Sequence, residues 1–442
     1  MGMDGAKPKV ALINPSWETR HWNPGALPDL YPPLGLGCVA AVLRADAFPV
    51  EIIDMPILRM PDTDLINRLR KAPPGIIGLT AVTLTYPRVV QLARLIRREL
   101  PGIPILAGGV HVTLRPGEVL QEDCFDFSIA GEGELAALDL CRGLARGEVA
   151  PDLGGVGYHQ VPRPYRQPAV DIDLRELPPH AYDLFDMGKY RRIFKRMAIL
   201  TSRGCSGRCI FCATGYAWPR VKFMPLERVM TELRYLVQDV GFRYINIFDS
   251  SFTAHKGRVH ALCDQIIAGG LKFRWRCFSR AQGVDLGLFR KMRAAGCSHV
   301  LFGVETSHRR TLKLIKKGTS PQQIVAAFRL AQEAGLKRVA YAIIGLPGED
   351  RQDILDSLDF LEKLDAEHHV VSPISLMPGT PLHEQRDEYR MVLWEDDYAQ
   401  GSQGQATASN SLLSLAEIQE LSDYACRRLN RGRQGYNWID DQ

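Results

Sequence analysis

The sequence predicts an α/β protein: a Rossmann-like domain, then a partial (β/α)6 barrel of the TIM type. Three observations predict it. Short apolar runs alternate with helical stretches through residues 9–146, the pattern of a parallel sheet covered on both faces. A stretch with six prolines and poor periodicity interrupts at 151–195. A second alternating series then supplies six strands, two short of a closed eight-stranded barrel.

In the first series the expected strands are 9–14, 50–55, 75–80, 103–109 and 125–131. The stretch "PPLGLGCVAAVLRAD" reads as a helix opening on proline, and further helices are expected at 62–71, 85–100 and 133–146. Gly108–Gly109 and Gly131–Glu132–Gly133 fall at strand ends, on the carboxyl edge where open sheets of this kind bind ligands. Residues 151–195 read as a small hairpin and a linker. The second series places strands at 197–202, 244–249, 273–279, 299–305, 338–345 and 368–375, with helices at 225–239, 257–269, 285–295, 321–334 and 351–364. Residues 399–411 read as a polar loop, and a helix is expected near 414–430. The expected domains are therefore 1–150, a linker 151–195, a barrel 196–395 and a C-terminal loop and helix 396–442.

Bulk properties narrow the function classes. A net charge of +5 over 442 residues is mild, and "KYRRIFKR" at 189–196 reads as a solvated face, so no nucleic-acid partner is expected. No apolar stretch reaches the roughly 18 residues of a membrane helix. "KVALIN" reads as a first strand, not a signal peptide, and the expected compartment is the cytoplasm. Of ten cysteines, seven (Cys38, Cys124, Cys141, Cys263, Cys277, Cys297 and Cys426) are dispersed and read as packing residues.

The other three are not dispersed. Cys205, Cys209 and Cys212 stand in "RGCSGRCIFCATGYAWP", a C-x3-C-x2-C spacing just after the first expected barrel strand. In such barrels the active site lies at that end of the strands. An odd trio in a reducing compartment points to metal and not to disulfides. Structural zinc wants four ligands, usually in two pairs, and no fourth Cys or His follows at a matching spacing. Four thiolates normally hold an iron–sulfur cubane. Three would leave one iron open to a small molecule, so the spacing fits a reactive cluster better than a structural site.

This pattern resembles the radical SAM superfamily. The resemblance implies that the trio binds a [4Fe–4S] cluster whose open iron chelates S-adenosylmethionine (SAM), and that an external one-electron donor drives its cleavage to a 5′-deoxyadenosyl radical. It also implies further cofactor-binding positions. Phe211 matches the aromatic beside adenine. Asp249 and Ser250 in "IFDSSFT" fall near the methionine amine. Ser279 and Arg280 end the third strand, where Arg280 suits the methionine carboxylate. Glu305 in "FGVET" falls near the ribose or amine, and Gly345 in "AIIGLPGED" leaves room for adenine. Met377 lies in "SLMPGTPLHE", which resembles the sixth-strand motif. "PPLGLGCVAAVL", "AGGVHVTLRPGEVL" and "AGEGE" resemble the cobalamin-binding-type domain that precedes many such barrels. The Asp-x-His-x-x-Gly loop of one large class of these domains is absent; relatives that lack it include both cobalamin binders and non-binders, so cobalamin is possible as a cofactor but disfavoured.

Three reactions compete: cobalamin-dependent methylation, oxidative cyclisation as in the anaerobic porphyrin cyclase, and dehydration of a vicinal diol. The look of the whole chain, including "NPGALPDLYPPLGLG", resembles the radical SAM diol dehydratases of aminoglycoside deoxygenation, which makes a lyase of antibiotic biosynthesis the first expectation. It implies an aminosugar substrate and, downstream, a reductase acting on the ketone product. Tyr216, four residues beyond Cys212, is then the candidate proton relay, with a phenol pKa near 10 to match an alkoxide-like oxygen. Its alternative role, with Trp218, is to shield the cluster. Trp17, Trp22 and Tyr31 read first as core or interface packing, with lining a sugar face as the alternative, and Asp29, Asp249 and Glu305 are candidates for binding amino groups.

Overall fold

The structure is a computed structural model; it describes residues 7–16, 30–148, 153–159, 172–394 and 404–430. The chain divides into two compact units that meet in sequence at Phe194 and Lys195.

In the first unit, β1 (Val10–Asn14), β2 (Val50–Asp54), β3 (Ile76–Thr80), β4 (Ile105–Gly108), β5 (Phe127–Ile129) and β6 (Val156–Tyr158) form one sheet in the order β2-β1-β3-β4-β5-β6. The first five are parallel and β6 is antiparallel to β5. Strand order reverses at β1, whose neighbours are β2 and β3, so the crevice between the carboxyl ends of β1 and β3 is the topological switch point. Ile13, Ile53, Ile77 and Ala107 are fully buried in the same apolar cluster as Leu65, Leu92 and Ile96 of the covering helices. The helix Met187–Phe194 returns to this sheet: Tyr190 donates to the Asp54 carboxylate, which also accepts from Asn14 Nδ2 at 2.8 Å. A polar latch thus closes the carboxyl ends of β1 and β2.

The second unit holds β7 (Arg196–Ile199), the short strands β8 (Ser202–Arg203) and β9 (Lys222–Phe223), then β10 (Tyr244–Ile247), β11 (Arg274–Ser279), β12 (Cys297–Glu305), β13 (Lys337–Ile344) and β14 (His368–Pro373). Its six-stranded sheet runs β14-β13-β12-β11-β10-β7, all parallel, each strand beside its sequence neighbour. That is the partial barrel the alternation predicts. Helices lie between the strands at Leu226–Arg234, Lys256–Ala268, Leu286–Ala294, Pro321–Glu333 and Arg351–Lys363. Capping boxes at Ser320, Asp350 and Ser414 satisfy the first free N–H groups of the last two of these and of the C-terminal helix Leu415–Leu429.

The structure departs from the expectations in three places. The hairpin expected after 151 is represented, among described residues, by β6 alone, and it extends the first sheet by pairing with β5. The expected loop 399–411 contains β16 (Ala408–Asn410), which pairs antiparallel with β15 (Met391–Leu393). Trp394 beside that ribbon donates to Ser409 Oγ at 2.8 Å, a long-range partner that a polar composition does not announce. The helix expected over 225–239 is α-helical to Arg234 and widens to a π-turn over Tyr235–Asp239. Among the described residues no helix is long and apolar enough to cross a membrane.

Candidate active site on the cysteine loop

The three cysteines sit on the loop between β8 and β9, whose two strands pair antiparallel (Ser202 with Phe223, Arg203 with Lys222) and bring the ends of the loop together. The loop is tightly wound, and its glycines show why. Gly204 has φ +82°, and a Cβ there would stand 2.0 Å from the Arg220 carbonyl oxygen. Gly215 lets the loop cross itself, since its Cβ would stand 2.2 Å from the Gly207 carbonyl oxygen. Ile210, fully buried between Cys209 and Phe211, anchors the loop to the barrel. Its N–H donates to the Ile315 carbonyl at 3.1 Å, and its own carbonyl accepts from Leu382 N at 3.0 Å.

Cys205, Cys209 and Cys212 are all half-buried free thiols; of the seven dispersed cysteines six are buried, as a packing role requires, whereas Cys426 is exposed, against that expectation. The Gly207 N–H donates to Cys205 Sγ at 3.3 Å. Burial pushes the Cys209 thiol up, and the nearby Lys317 and Arg280 charges oppose that. Among the described residues no three His, Cys, Asp or Glu side chains are grouped for a single metal ion. The donor set is three thiols on one loop, beside a backbone N–H donor and two cations, and it suits a polyanionic iron–sulfur cluster bound through thiolates.

The other candidates fall into two groups. Arg280 and Glu305 lie beside the loop. Arg280 donates to the Lys317 carbonyl, and a Cβ on Gly207 would stand 2.6 Å from its Nη1. Glu305 occupies the carboxyl end of β12 in a left-handed conformation (φ +66°) that non-glycine residues rarely adopt. A register shift in β12 between Gly303 and Glu305 accompanies it, and Lys317 Nζ meets its Oε1 at 2.5 Å. Sequence reading missed Lys317; "LKLIKKGTS" gives no signal that selects it from its neighbours. Phe211 is half-buried on the loop, and Ser250 is exposed beyond β10.

Asp249, Ser279, Gly345 and Met377 are engaged with protein. Asp249 is buried, and its carboxylate accepts from Thr201 N (2.6 Å), Thr201 Oγ1 (2.5 Å) and Ser202 Oγ (2.7 Å); burial pushes its pKa up. Ser279 Oγ lies 2.6 Å from Thr253 Oγ1. The open side of Gly345 faces the C-terminal helix, with Ile418 Cδ1 2.7 Å from where a Cβ would stand. The Met377 carbonyl accepts from Thr380 Oγ1 at 2.6 Å. Tyr216 donates to the Arg208 carbonyl at 3.1 Å, bridging the cysteine loop, and burial pushes its phenol up. Trp17, Trp22 and Asp29 lie outside the described residues.

At the carboxyl edge of the first sheet, the turn after β3 leaves Val82 and Leu84 exposed (41% and 36%), an apolar platform bordering the switch point. Gly109 (φ +112°) brings the loop after β4 against that turn, its Cβ position 2.5 Å from the Ala81 carbonyl oxygen. His111 packs inward, fully buried and stacked on Tyr86 with ring centroids 4.0 Å apart.

Comparison with known proteins identifies both parts of the chain. Residues 199–361 match the radical SAM superfamily, and residues 25–140 match the B12 binding domain. An uncharacterised methyltransferase of Pyrococcus horikoshii is 31% identical over 358 residues, covering 80% of this chain and 78% of that protein. The anaerobic magnesium-protoporphyrin IX monomethyl ester cyclase of Rubrivivax gelatinosus is 26% identical over 78% of this chain, which spans 64% of the cyclase. In fold, the chain is similar to the radical SAM methyltransferase TsrM of Kitasatospora setae, solved with cobalamin and a [4Fe–4S] cluster bound. The TM-score is 0.75 at 20% identity, covering 93% of this chain and 84% of that one. The disfavouring of cobalamin is thereby corrected. It rested on one missing loop string and on an expected dehydration that needs no methyl carrier, whereas the B12-binding match rests on 25–140 as a whole, and a fold keeps a binding edge when one ligand motif is lost. The diol dehydratase and lyase expectations gain no support, because these relatives are methyltransferases and a cyclase. By the barrel with its cysteine loop, the sheet that precedes it and the match across four-fifths of its length, this chain belongs to the radical SAM superfamily and carries a B12-binding domain ahead of the barrel.

Proposed function

We propose that the protein is a cobalamin-dependent radical SAM methyltransferase acting on a small molecule. The observation that carries the reading is the union, in one chain, of a B12-binding domain and a radical SAM barrel. The methyltransferase relative matched over most of the chain supports it. Cys205, Cys209 and Cys212 would hold the [4Fe–4S] cluster, and the carboxyl edge around Val82, Leu84 and Gly109 would seat the corrin. When bound, the cluster supplies single electrons and a chelating iron for SAM, and cobalamin supplies a methyl-carrying metal.

The chain's own residues bind and orient. Arg280 and Lys317 bring two positive charges to the loop, where they offset the negative charge of thiolates. The ion pair with Lys317 holds the Glu305 carboxylate at the carboxyl end of β12, where it would accept from a cofactor's amine or hydroxyl groups. Tyr216, its proton directed to the Arg208 carbonyl, holds the loop together, and with Trp218 it screens the thiols from water. Oxidative cyclisation is the second reading, favoured by the cyclase relative.

The test is product analysis after anaerobic reconstitution with iron, sulfide and hydroxocobalamin, using a strong chemical reductant as electron donor. Removing the methyl group from SAM leaves S-adenosylhomocysteine; reductive cleavage leaves methionine and 5′-deoxyadenosine. S-adenosylhomocysteine that forms only when cobalamin is present is the expected result. Formation of 5′-deoxyadenosine alone, at equal rates with and without cobalamin, would overturn methyl transfer in favour of the cyclase reading.

A further inference from the structure

The second βα unit of the barrel grips the cysteine loop at its root. Asp249, just beyond β10, is 2% exposed, and all three of its acceptor contacts go to Thr201 and Ser202, the residues that open the β8–β9 ribbon. The same root is held from the next helix. Arg258 donates Nη2 to the Thr201 carbonyl at 3.0 Å, and its guanidinium lies over the Phe223 ring of β9, 5.1 Å from the centroid. His255, which caps this helix by accepting from Arg258 N at 3.1 Å, sets its ring edge-on to Phe223 at 5.5 Å. Both strands of the ribbon are therefore fastened to one unit, the first by a buried carboxylate and the second by a cation and a ring.

We propose that Asp249 and Arg258 are positioning residues for the cysteine loop, fixing the ribbon from which Cys205, Cys209 and Cys212 hang and so setting how firmly the loop keeps its cluster. The inference rests on the cluster assignment above. Asp249 then acts through backbone and hydroxyl groups and not by touching the cofactor. The physical case is one of satisfaction. A buried carboxylate is stable only with its lone pairs occupied, and here every donor it finds belongs to two consecutive residues at the mouth of the loop. Exchanging the carboxylate for an amide puts an NH2 donor where Oδ2 accepts from the two hydroxyls, and leaves those hydroxyls without their acceptor in a dry site. Only Arg203 and Gly204 lie between Ser202 and Cys205, so a loosened root has little chain in which to dissipate before the first ligand.

The experiment compares Asp249→Asn, Ser202→Ala, Arg258→Lys and Arg258→Met with the parent chain by two readouts. Amide hydrogen exchange on the cluster-free protein is expected to accelerate at least tenfold across 202–223 in Asp249→Asn and Arg258→Met, with exchange in the β12–β13 core unchanged. Arg258→Lys, which keeps a charge and a donor, is expected to restore part of the protection. Iron release to a chelator from reconstituted protein is expected to follow the same order, with Ser202→Ala, which loses one bond, the mildest. Equal acceleration in all elements would mean a general loss of stability and would overturn the proposal; so would unchanged exchange at 202–223. If the parent chain takes up no iron, the cluster assignment fails, and the exchange data still decide whether Asp249 and Arg258 hold the loop.

Discussion

At the residue scale, the cysteine trio and the glycines around it make the sharpest statements. Replacing Cys209 with Ala is expected to abolish iron–sulfur absorbance and SAM cleavage, because two thiolates cannot hold a cubane with one open iron; Cys263→Ala, in a buried packing position, is expected to leave both intact. Gly204→Ala is expected to be as damaging as losing a ligand. It combines a positive φ with backbone oxygen 2.0 Å from the new Cβ, and that oxygen cannot move without opening the ribbon. Iron content after reconstitution checks all three variants. Tyr216→Phe removes one partly exposed hydrogen bond across the loop, worth roughly 1 kcal/mol, and is expected to retain iron. The trio was legible because ligand spacing is a local property. Lys317 and Arg258 were not: each acts on the loop from a place distant in the chain, and nothing in its own neighbourhood marks it.

At the scale of elements, the strands and helices were legible from alternation and caps, and their ends shifted by a few residues where the last turn widened or a strand shortened. What local pattern could not show is how the loops at the strand ends are tied. The loop after β13 is an example. Glu349 is 1% exposed, its pKa is pushed up to about 7 mainly by burial, and Asn410 of β16 donates to the carbonyls of Leu346 and Glu349 at 3.0 and 2.9 Å. The folded state therefore holds the Glu349 proton more tightly than the unfolded chain does. Its contribution to stability is fully present below the ordinary glutamate pKa near 4.5 and is lost as pH rises through about 7. A difference of this size corresponds to on the order of 3 kcal/mol. Thermal unfolding between pH 5 and pH 8 is expected to show that fall, and Glu349→Gln, which cannot ionise, is expected to flatten it. A parent-like slope in Glu349→Gln would assign the pH dependence to another group.

At the scale of the whole molecule, the two-part architecture followed from two alternating series and a proline-rich break, and it is what the structure has. The reaction did not follow. Methylation, cyclisation and dehydration all begin from the same cysteine loop, and choosing among them needs the substrate-facing surface, which no short string encodes. The dehydratase expectation came from the look of the whole chain, its front included, and part of that front, residues 17–29, lies outside the described residues. Cobalamin was misjudged because the decision was put on one missing ligand motif and on an expected dehydration that needs no methyl carrier. The sheet edge itself, with its switch point, the bare Val82 and Leu84 and the close turn at Gly109, becomes visible only once β1, β3 and β4 are side by side. If that edge seats the corrin, charging its floor should weaken the seat: Leu84→Asp is expected to lower cobalamin retention at least tenfold without altering iron uptake, measured by equilibrium dialysis.

The central claim, that one chain carries both a cobalamin-binding sheet and a cluster-binding barrel, is tested most directly by gel filtration after anaerobic reconstitution with iron, sulfide and hydroxocobalamin, with cobalt and iron measured across the protein peak. The parent chain is expected to carry both metals, and Cys209→Ala to carry cobalt alone. Cobalamin eluting free of the parent protein, at concentrations where iron is retained, would contradict the account.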